Sequence, residues 1–179
     1  MTSPAPTRFQ NRTTAGRRLA AALINYANRN DVVVLALPRG GVPVAAEIAS
    51  ALYVPLGVYI VRKLGVPGHR ELAMGAIASG GVKILNLRIL KQMQVSEDAL
   101  AAVIDQEQHE LERRQQLYYG YCDATPDAEH TASLQVENRV VILVDDGIAT
   151  GSTLKAAIAG LQQLHPRQII IATPVAPPS

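Results

Sequence analysis

The sequence predicts an α/β protein: an open, mainly parallel central sheet flanked by helices, with a short hairpin and a flexible loop. Three observations carry that expectation. Apolar runs of strand length at Val32–Leu37, Leu56–Val61, Val140–Val144 and Gln168–Thr173 alternate with stretches of helical periodicity. Continuous rather than alternating apolar runs suit parallel strands covered on both faces. The segments of chemical character, around Arg39, Arg62 and Asp145, each follow one of these runs, which puts them together at the carboxyl edge of the sheet.

Size and composition agree. A chain of 179 residues, 48% apolar and 18% charged, suits a single domain over residues 1–179, with residues 1–12 loose. The net charge of +2 supports no broad nucleic-acid surface. One cysteine, Cys122, rules out an internal disulfide and fits a reducing compartment. The N-terminus has no apolar signal region and no stretch reaches about eighteen uninterrupted apolar residues, so a cytoplasmic protein without membrane contact is expected.

The elements follow in order. Thr13 or Thr14 caps a helix running to about Asn28, with Ala15, Leu19, Ala22, Leu23 and Tyr26 on one face and Arg17 and Arg18 on the other. Val32–Leu37 is a strand, Pro38-Arg39-Gly40-Gly41 a tight loop, and about Val42 to Ala51 a helix. Leu56–Val61 is the next strand, with Arg62 and Lys63 at its end. The following LGVPGHRELAMG, with two glycines, a proline and the charged cluster His69, Arg70 and Glu71, reads as a mobile loop. Ala73–Ser79 and Val82–Leu85 form a hairpin across Gly80-Gly81, Asn86 to Gln94 a helical turn, and Val95 to Tyr119 the longest helix, capped by Ser96 and stopped at Gly120. Its charged face is solvated or meets a second copy in a homodimer. Tyr118, Tyr119 and Tyr121 either pack where that helix ends, the preferred reading, or stack on a nucleobase. Asp123 to Leu134 is a surface connection.

One stretch carries most of the chemistry. In VVILVDDGIATGST, Val140 to Thr153, a buried strand ends in two carboxylates and a Gly/Thr/Ser turn enters a helix whose buried face is Leu154, Ala157, Ile158, Leu161 and Leu164. Free N–H groups and hydroxyls at a helix N-terminus suit a monophosphate. The carboxylates of Asp145 and Asp146 suit sugar hydroxyls and Mg²⁺ better than a second phosphate. A phosphorylated sugar satisfies both. The loop at Arg39, Gly40 and Gly41 is a second anion site, again at a helix N-terminus after a strand. Neither the Walker A spacing nor a G-x-G-x-x-G fingerprint occurs.

Val141 to Val144, Asp145, Asp146 and Gly147 to Thr153 match the phosphoribosyl pyrophosphate (PRPP) signature of type I phosphoribosyltransferases: four apolar residues, two acidic ones, then G-x-x-T-G-x-T. The chain also resembles a set of phosphoribosyltransferases of unsettled acceptor that begin near F-x-N/D-R and carry L-P-R-G-G-V-P-V-A and R-K-L-G-x-P-x-x-x-E-x-A-x-G-A. The resemblance implies transfer of a phosphoribosyl group from PRPP to a small nitrogenous acceptor, with Mg²⁺ as cofactor and pyrophosphate as leaving group. By position, Asp145 and Asp146 would hold the ribose hydroxyls and, indirectly, the metal. Ala149, Thr150, Gly151, Ser152 and Thr153 would hold the 5′-phosphate. Arg39, Gly40 and Gly41, in a loop where the resemblance implies a strained or cis peptide, would meet the pyrophosphate together with Arg62 and Lys63, and the flexible loop would bring His69, Arg70 and Glu71. Asp145, Asp146 and Arg39 would be the catalytic set.

Two departures bear on the acceptor. Ala149 stands where the hypoxanthine-guanine branch has an Asp that manages a purine proton, which argues against a 6-oxopurine. Six residues follow Thr173, where relatives usually supply base contacts, so the end reads as shortened or the acceptor pocket as built differently. These features motivate an alternative, a non-catalytic regulatory protein that binds PRPP or a nucleotide. A hydrolase using Glu71 or His69 to activate water ranks third.

Overall fold

The computed structural model describes residues 9–122, 135–149 and 151–177, with backbone alone at 119–122. Four parallel strands form the main sheet in the order β2-β1-β6-β7: β1 Val32–Ala36, β2 Leu56–Val58, β6 Val140–Val144 and β7 Gln168–Ala172. Three antiparallel strands form a second sheet, β3 Val61–Val66, β4 His69–Ala78 and β5 Val82–Leu85. The helices are α1 Arg12–Ala22, α2 Gly41–Leu52, α3 Leu87–Gln92, α4 Glu97–Cys122 and α5 Ser152–Gln162. The expected α/β class with a mainly parallel sheet is what the chain adopts.

Strand alternation divides the core. Val32, Val34 and Ala36 of β1 and Val140, Ile142 and Val144 of β6 turn to one face, where α2 places Val44, Ala45, Ile48 and Leu52 and α1 adds Ala20. Val33, Leu35, Val141 and Leu143 turn to the other, against Leu154, Ala157 and Leu161 of α5. Both faces are covered, which is why β1 and β6 read as unbroken apolar runs; each such side chain contributes about 1.5–3 kcal/mol on burial.

Several boundaries differ from the sequence reading. The helix α1 begins two or three residues earlier than a Thr13 or Thr14 cap would allow. Asn11 caps it in a reciprocal pair: its side chain accepts from the Thr14 N–H at 2.9 Å, and its own N–H donates to Thr14 Oγ1 at 3.2 Å. Arg12 is therefore helical and not in a loose tail. The helix stops at Ala22, and Asn28, with φ +56°, turns to donate its N–H to Leu52 O.

The apolar run expected as one strand serves two sheets. Tyr59 N donates to Ala36 O, extending the pairing with β1, whereas Ile60 pairs with Ser79 through both backbone and the Ser79 hydroxyl. The chain changes sheets between those residues, so Arg62 and Lys63 lie inside β3 instead of at the end of β2. The expected mobile loop is a hairpin: β3 and β4 turn at Pro67-Gly68, with Gly68 at φ +79°, and the pairing is irregular around Gly65. Clustered charges and glycines hid its alternation. The second hairpin, β4 to β5 across Gly80-Gly81, forms as expected.

The long helix α4, capped by Ser96, runs through Gly120 to Cys122 instead of stopping at the glycine. Leu100, Val103, Ile104, Leu111 and Tyr118 pack on the second sheet. The connection expected at Asp123 to Leu134 lies outside the described residues, as do the Tyr119 and Tyr121 side chains. The last strand is an edge strand, half exposed, with Ile171 turned to solvent. Among the described residues no helix is long and apolar enough to cross a membrane.

Two features generate stability predictions. Tyr59 is fully buried, its hydroxyl has no hydrogen-bond partner among the described residues, and it lies 2.5 Å from where a Cβ on Gly160 would stand. Urea unfolding should show Gly160→Ala destabilised by about 1–3 kcal/mol, with Tyr59→Phe neutral or stabilising. At the opposite end of the main sheet from the loops, Arg29 holds Asp31 in a two-point pair at 3.0 Å and Arg167 adds a second, very short contact. The Arg29 hydrogen bond is the main cause of an Asp31 carboxyl lowered to about 2. Because the folded value is depressed, this stabilisation is complete above about pH 4 and lost as pH falls toward 2. Asp31→Asn should therefore melt earlier at neutral pH and lose less on acidification over that window.

Candidate functional site

Adjacent strands bring the two anion loops together. Val32 to Ala36 pair residue for residue with Val140 to Val144, so both strands end side by side, and Leu37 N still donates to Val144 O at 2.8 Å. The loop Pro38-Arg39-Gly40-Gly41 thus opens against Asp145 and Asp146. The Pro38–Arg39 peptide is cis, in the loop where the family resemblance implied one.

Contact between the loops is tight at two glycines. A Cβ on Gly40 would stand 2.0 Å from Asp146 Oδ2, and one on Gly41 would stand 2.6 Å from Val144 O. The Asp146 carboxylate therefore rests on the bare backbone of residue 40. The Asp145 backbone N–H donates to Ala172 O, and Asp145 Oδ1 accepts the Asp146 N–H at 2.9 Å. Burial pushes the Asp145 carboxyl up, the neighbouring Asp146 charge adds to that, and backbone N–H groups of Asp146 and Gly147 oppose it.

The turn after the carboxylates enters α5 through Gly151, at φ +71°, whose carbonyl accepts from Lys155 N. Ile148 N donates to Val175 O, tying the turn to the segment after β7. Ser152 and Thr153 occupy the first turn of α5, with Ala149 before it. Thr150 lies outside the described residues.

Arg12 was not among the expected site residues. From the first turn of α1 its Nε and Nη2 both donate to Asp146 Oδ2, at 2.9 and 2.6 Å. The available signal was the F-x-N/D-R opening, here Phe9 to Arg12. Arg17 pairs with Glu47 and Arg18 lies over the Phe9 ring.

The remaining expected residues gather elsewhere, on the β3–β4 hairpin. Arg62 is held by Glu107 of α4, with Nε at 2.7 Å from Oε2 and both side chains largely buried. Lys63 pairs with Glu71 at 3.2 Å. With Arg70, Pro67, Gly68 and Gln106 they line a cavity of about 480 Å³ between hairpin and α4. His69 lines a shallower recess with Leu72 and Met93. No hydrogen bond or ion pair among the described residues joins this group to the Arg39 loop or the carboxylates.

Likeness to known proteins can be set against this geometry. The family model of the phosphoribosyl transferase domain matches residues 7–179. A Mycobacterium tuberculosis protein with a provisional phosphoribosyl transferase name is 41% identical over 169 residues, which cover 94% of this chain and 36% of that protein. The chain thus spans little more than a third of the curated relatives it matches. The crystal structure of TT1426 from Thermus thermophilus is 38% identical, with a TM-score of 0.74, over 95% of this chain and 76% of that one. A hypoxanthine-guanine phosphoribosyltransferase from Bacillus anthracis, 14% identical, shares the fold with a TM-score of 0.50 over 99% of this chain and 76% of its own.

The two loop glycines should respond differently to substitution. In Gly41→Ala the new methyl meets a backbone carbonyl that cannot move, so a loss of about 1–3 kcal/mol is expected in denaturant melts. In Gly40→Ala it meets only the end of a side chain. That variant should melt near the wild type while its crystal structure shows Asp146 displaced from Arg12.

Proposed function

Since the chain belongs to the phosphoribosyl transferase domain family, we propose that it transfers a phosphoribosyl group from PRPP to a small, nucleobase-like nitrogenous acceptor in an Mg²⁺-dependent reaction that releases pyrophosphate. The observation that carries this reading is the meeting of the Arg39-Gly40-Gly41 loop with the Asp145–Asp146 pair at the ends of two adjacent strands. PRPP is a phosphate, a sugar diol and a pyrophosphate, and this edge of the sheet offers a partner for each.

In this mechanism the α5 turn, from Ala149 through Thr150 and Gly151 to Ser152 and Thr153, receives the 5′-phosphate on N–H groups and hydroxyls. Asp145 and Asp146 accept hydrogen bonds from the ribose hydroxyls and hold the ring. Arg39, with the N–H groups at Gly40 and Gly41, takes the pyrophosphate and stabilises the charge it gains as the bond to the anomeric carbon breaks. The acceptor nitrogen forms the new bond from the opposite side, and no protein nucleophile is required.

The donor set fits Mg²⁺. Asp145 and Asp146 are hard oxygen donors side by side at the strand end. A cation that keeps its waters and shares oxygens with its substrate suits such a pair. When bound it would neutralise charge on the leaving pyrophosphate.

The hairpin residues take a lesser part in this reading. Arg62 and Lys63 already have carboxylate partners in Glu107 and Glu71, and Arg70 is the cation of that group without one among the described residues. That pairing favours the competing reading of a protein that binds PRPP without turning it over.

Calorimetric titration of PRPP with Mg²⁺ should give a single site, weakened at least about tenfold in Asp146→Asn and in Gly40→Ala. Absence of heat in the wild type would sink the proposal. A panel of bases scored for PRPP-dependent pyrophosphate release separates enzyme from sensor: release with one base is expected, and binding without release from any base favours the sensor.

A further inference from the structure

Arg12 differs from the other cations near the carboxylates in being already in contact with one. It begins α1, whose backbone is fixed by the Asn11–Thr14 cap, so the fold sets its reach to Asp146. Nε and Nη2 converge on a single oxygen, and that carboxylate cannot withdraw toward the loop because it rests on Gly40. Arg12 remains 59% exposed while Asp146 is 29% exposed, so the guanidinium covers the acid from the solvent side.

Charge decides what such a contact does. By themselves Asp145 and Asp146 form a doubly negative strand end, the kind of oxygen pair that takes up a hard divalent ion. Arg12 on Asp146 and Arg39 in the facing loop bring these four side chains to a formal charge of zero. A divalent ion arriving alone must expel a guanidinium from its partner and then sit beside its positive charge. A donor bearing phosphate groups offers that guanidinium a two-point anionic partner in exchange, which releases Asp146 for the sugar.

We propose that Arg12 is a positioning residue that keeps a free divalent cation off Asp145 and Asp146 until the anionic donor arrives: it occupies Asp146 in the empty protein and leaves it when the donor binds. The role assigned to the donor rests on the reading of this edge as a PRPP site. The contact keeps Asp146 aligned, prevents free metal from filling the sugar's place, and spares an incoming polyanion the repulsion of two bare carboxylates.

The test uses Mn²⁺ as the probe, with no donor present and free ion counted by electron paramagnetic resonance. Arg12→Gln should bind Mn²⁺ at least about tenfold more tightly than the wild type, Arg12→Lys should stay within about threefold of it, and adding Asp146→Asn to Arg12→Gln should abolish the gain. A purely structural role for Arg12 would move none of these. Equal Mn²⁺ affinity in wild type and Arg12→Gln overturns the proposal irrespective of PRPP, whereas a failed PRPP titration with a tightened Arg12→Gln metal site overturns the substrate reading alone. Should Arg12→Gln not fold, the ¹⁵N signal of Arg12 Nε in the wild type decides the same question. It should stay in place with Mg²⁺ alone and shift with Mg²⁺ and PRPP together; full movement with Mg²⁺ alone, or none when PRPP binds, overturns the proposal.

Discussion

The site depends on one close approach, the Asp146 carboxylate against the bare backbone of Gly40. Strands in hydrogen-bonded neighbours lie about 4.8 Å apart, and two loops leaving such neighbours have little room between them. A methyl at position 40 would fill it. Everything else is arranged so that the approach can occur: β1 and β6 pair in register to their last residues, Leu37 continues that pairing by one bond, and α2 starts at once on Gly41. The apolar faces that hold the two strands flat between α1, α2 and α5 are thereby part of the site's geometry, although none of those side chains belongs to it.

The second sheet grows from the first by a division of labour within one apolar run. Leu56 to Val58 pair with β1, while Ile60 is bonded to Ser79 on both of its backbone groups. Ser79 Oγ also accepts from Gln115 of α4 at 3.2 Å, so one buried hydroxyl joins the hairpin's base to the long helix. The Arg62–Glu107 pair ties the same helix to the hairpin. Between them these contacts give the hairpin a fixed backing in place of the free loop that its composition suggests.

What was legible in the sequence was what is local. Strand, carboxylate pair and turn are contiguous from Val140 to Thr153, so nothing distant had to be known to place them. What was missed depends on contacts between remote segments. Arg12 and Asp146 are separated by most of the chain, and no periodicity announces their pairing. The break after Tyr59 is invisible in an apolar run because both halves are buried, each against a different partner. The β3–β4 hairpin was obscured for another reason: from His69 to Leu72 both faces of the strand are exposed, so hydrophobic alternation had nothing to mark.

The ion pairs of the hairpin also set how far its charge can be felt. A lysine or arginine in contact with a carboxylate acts at a distance as a dipole, whose field dies away faster than that of a single charge, and salt screens what is left beyond about 8 Å. Arg62 and Lys63 would therefore exert little pull on a polyanion still in solution, and could serve the proposed substrate only once it had come close enough to compete with Glu107 and Glu71. If a polyanion binds here as proposed, Arg70, which has no carboxylate partner among the described residues, is the cation of the hairpin left to act on it at range. On the proposed reading, attraction and grip then fall to different arginines.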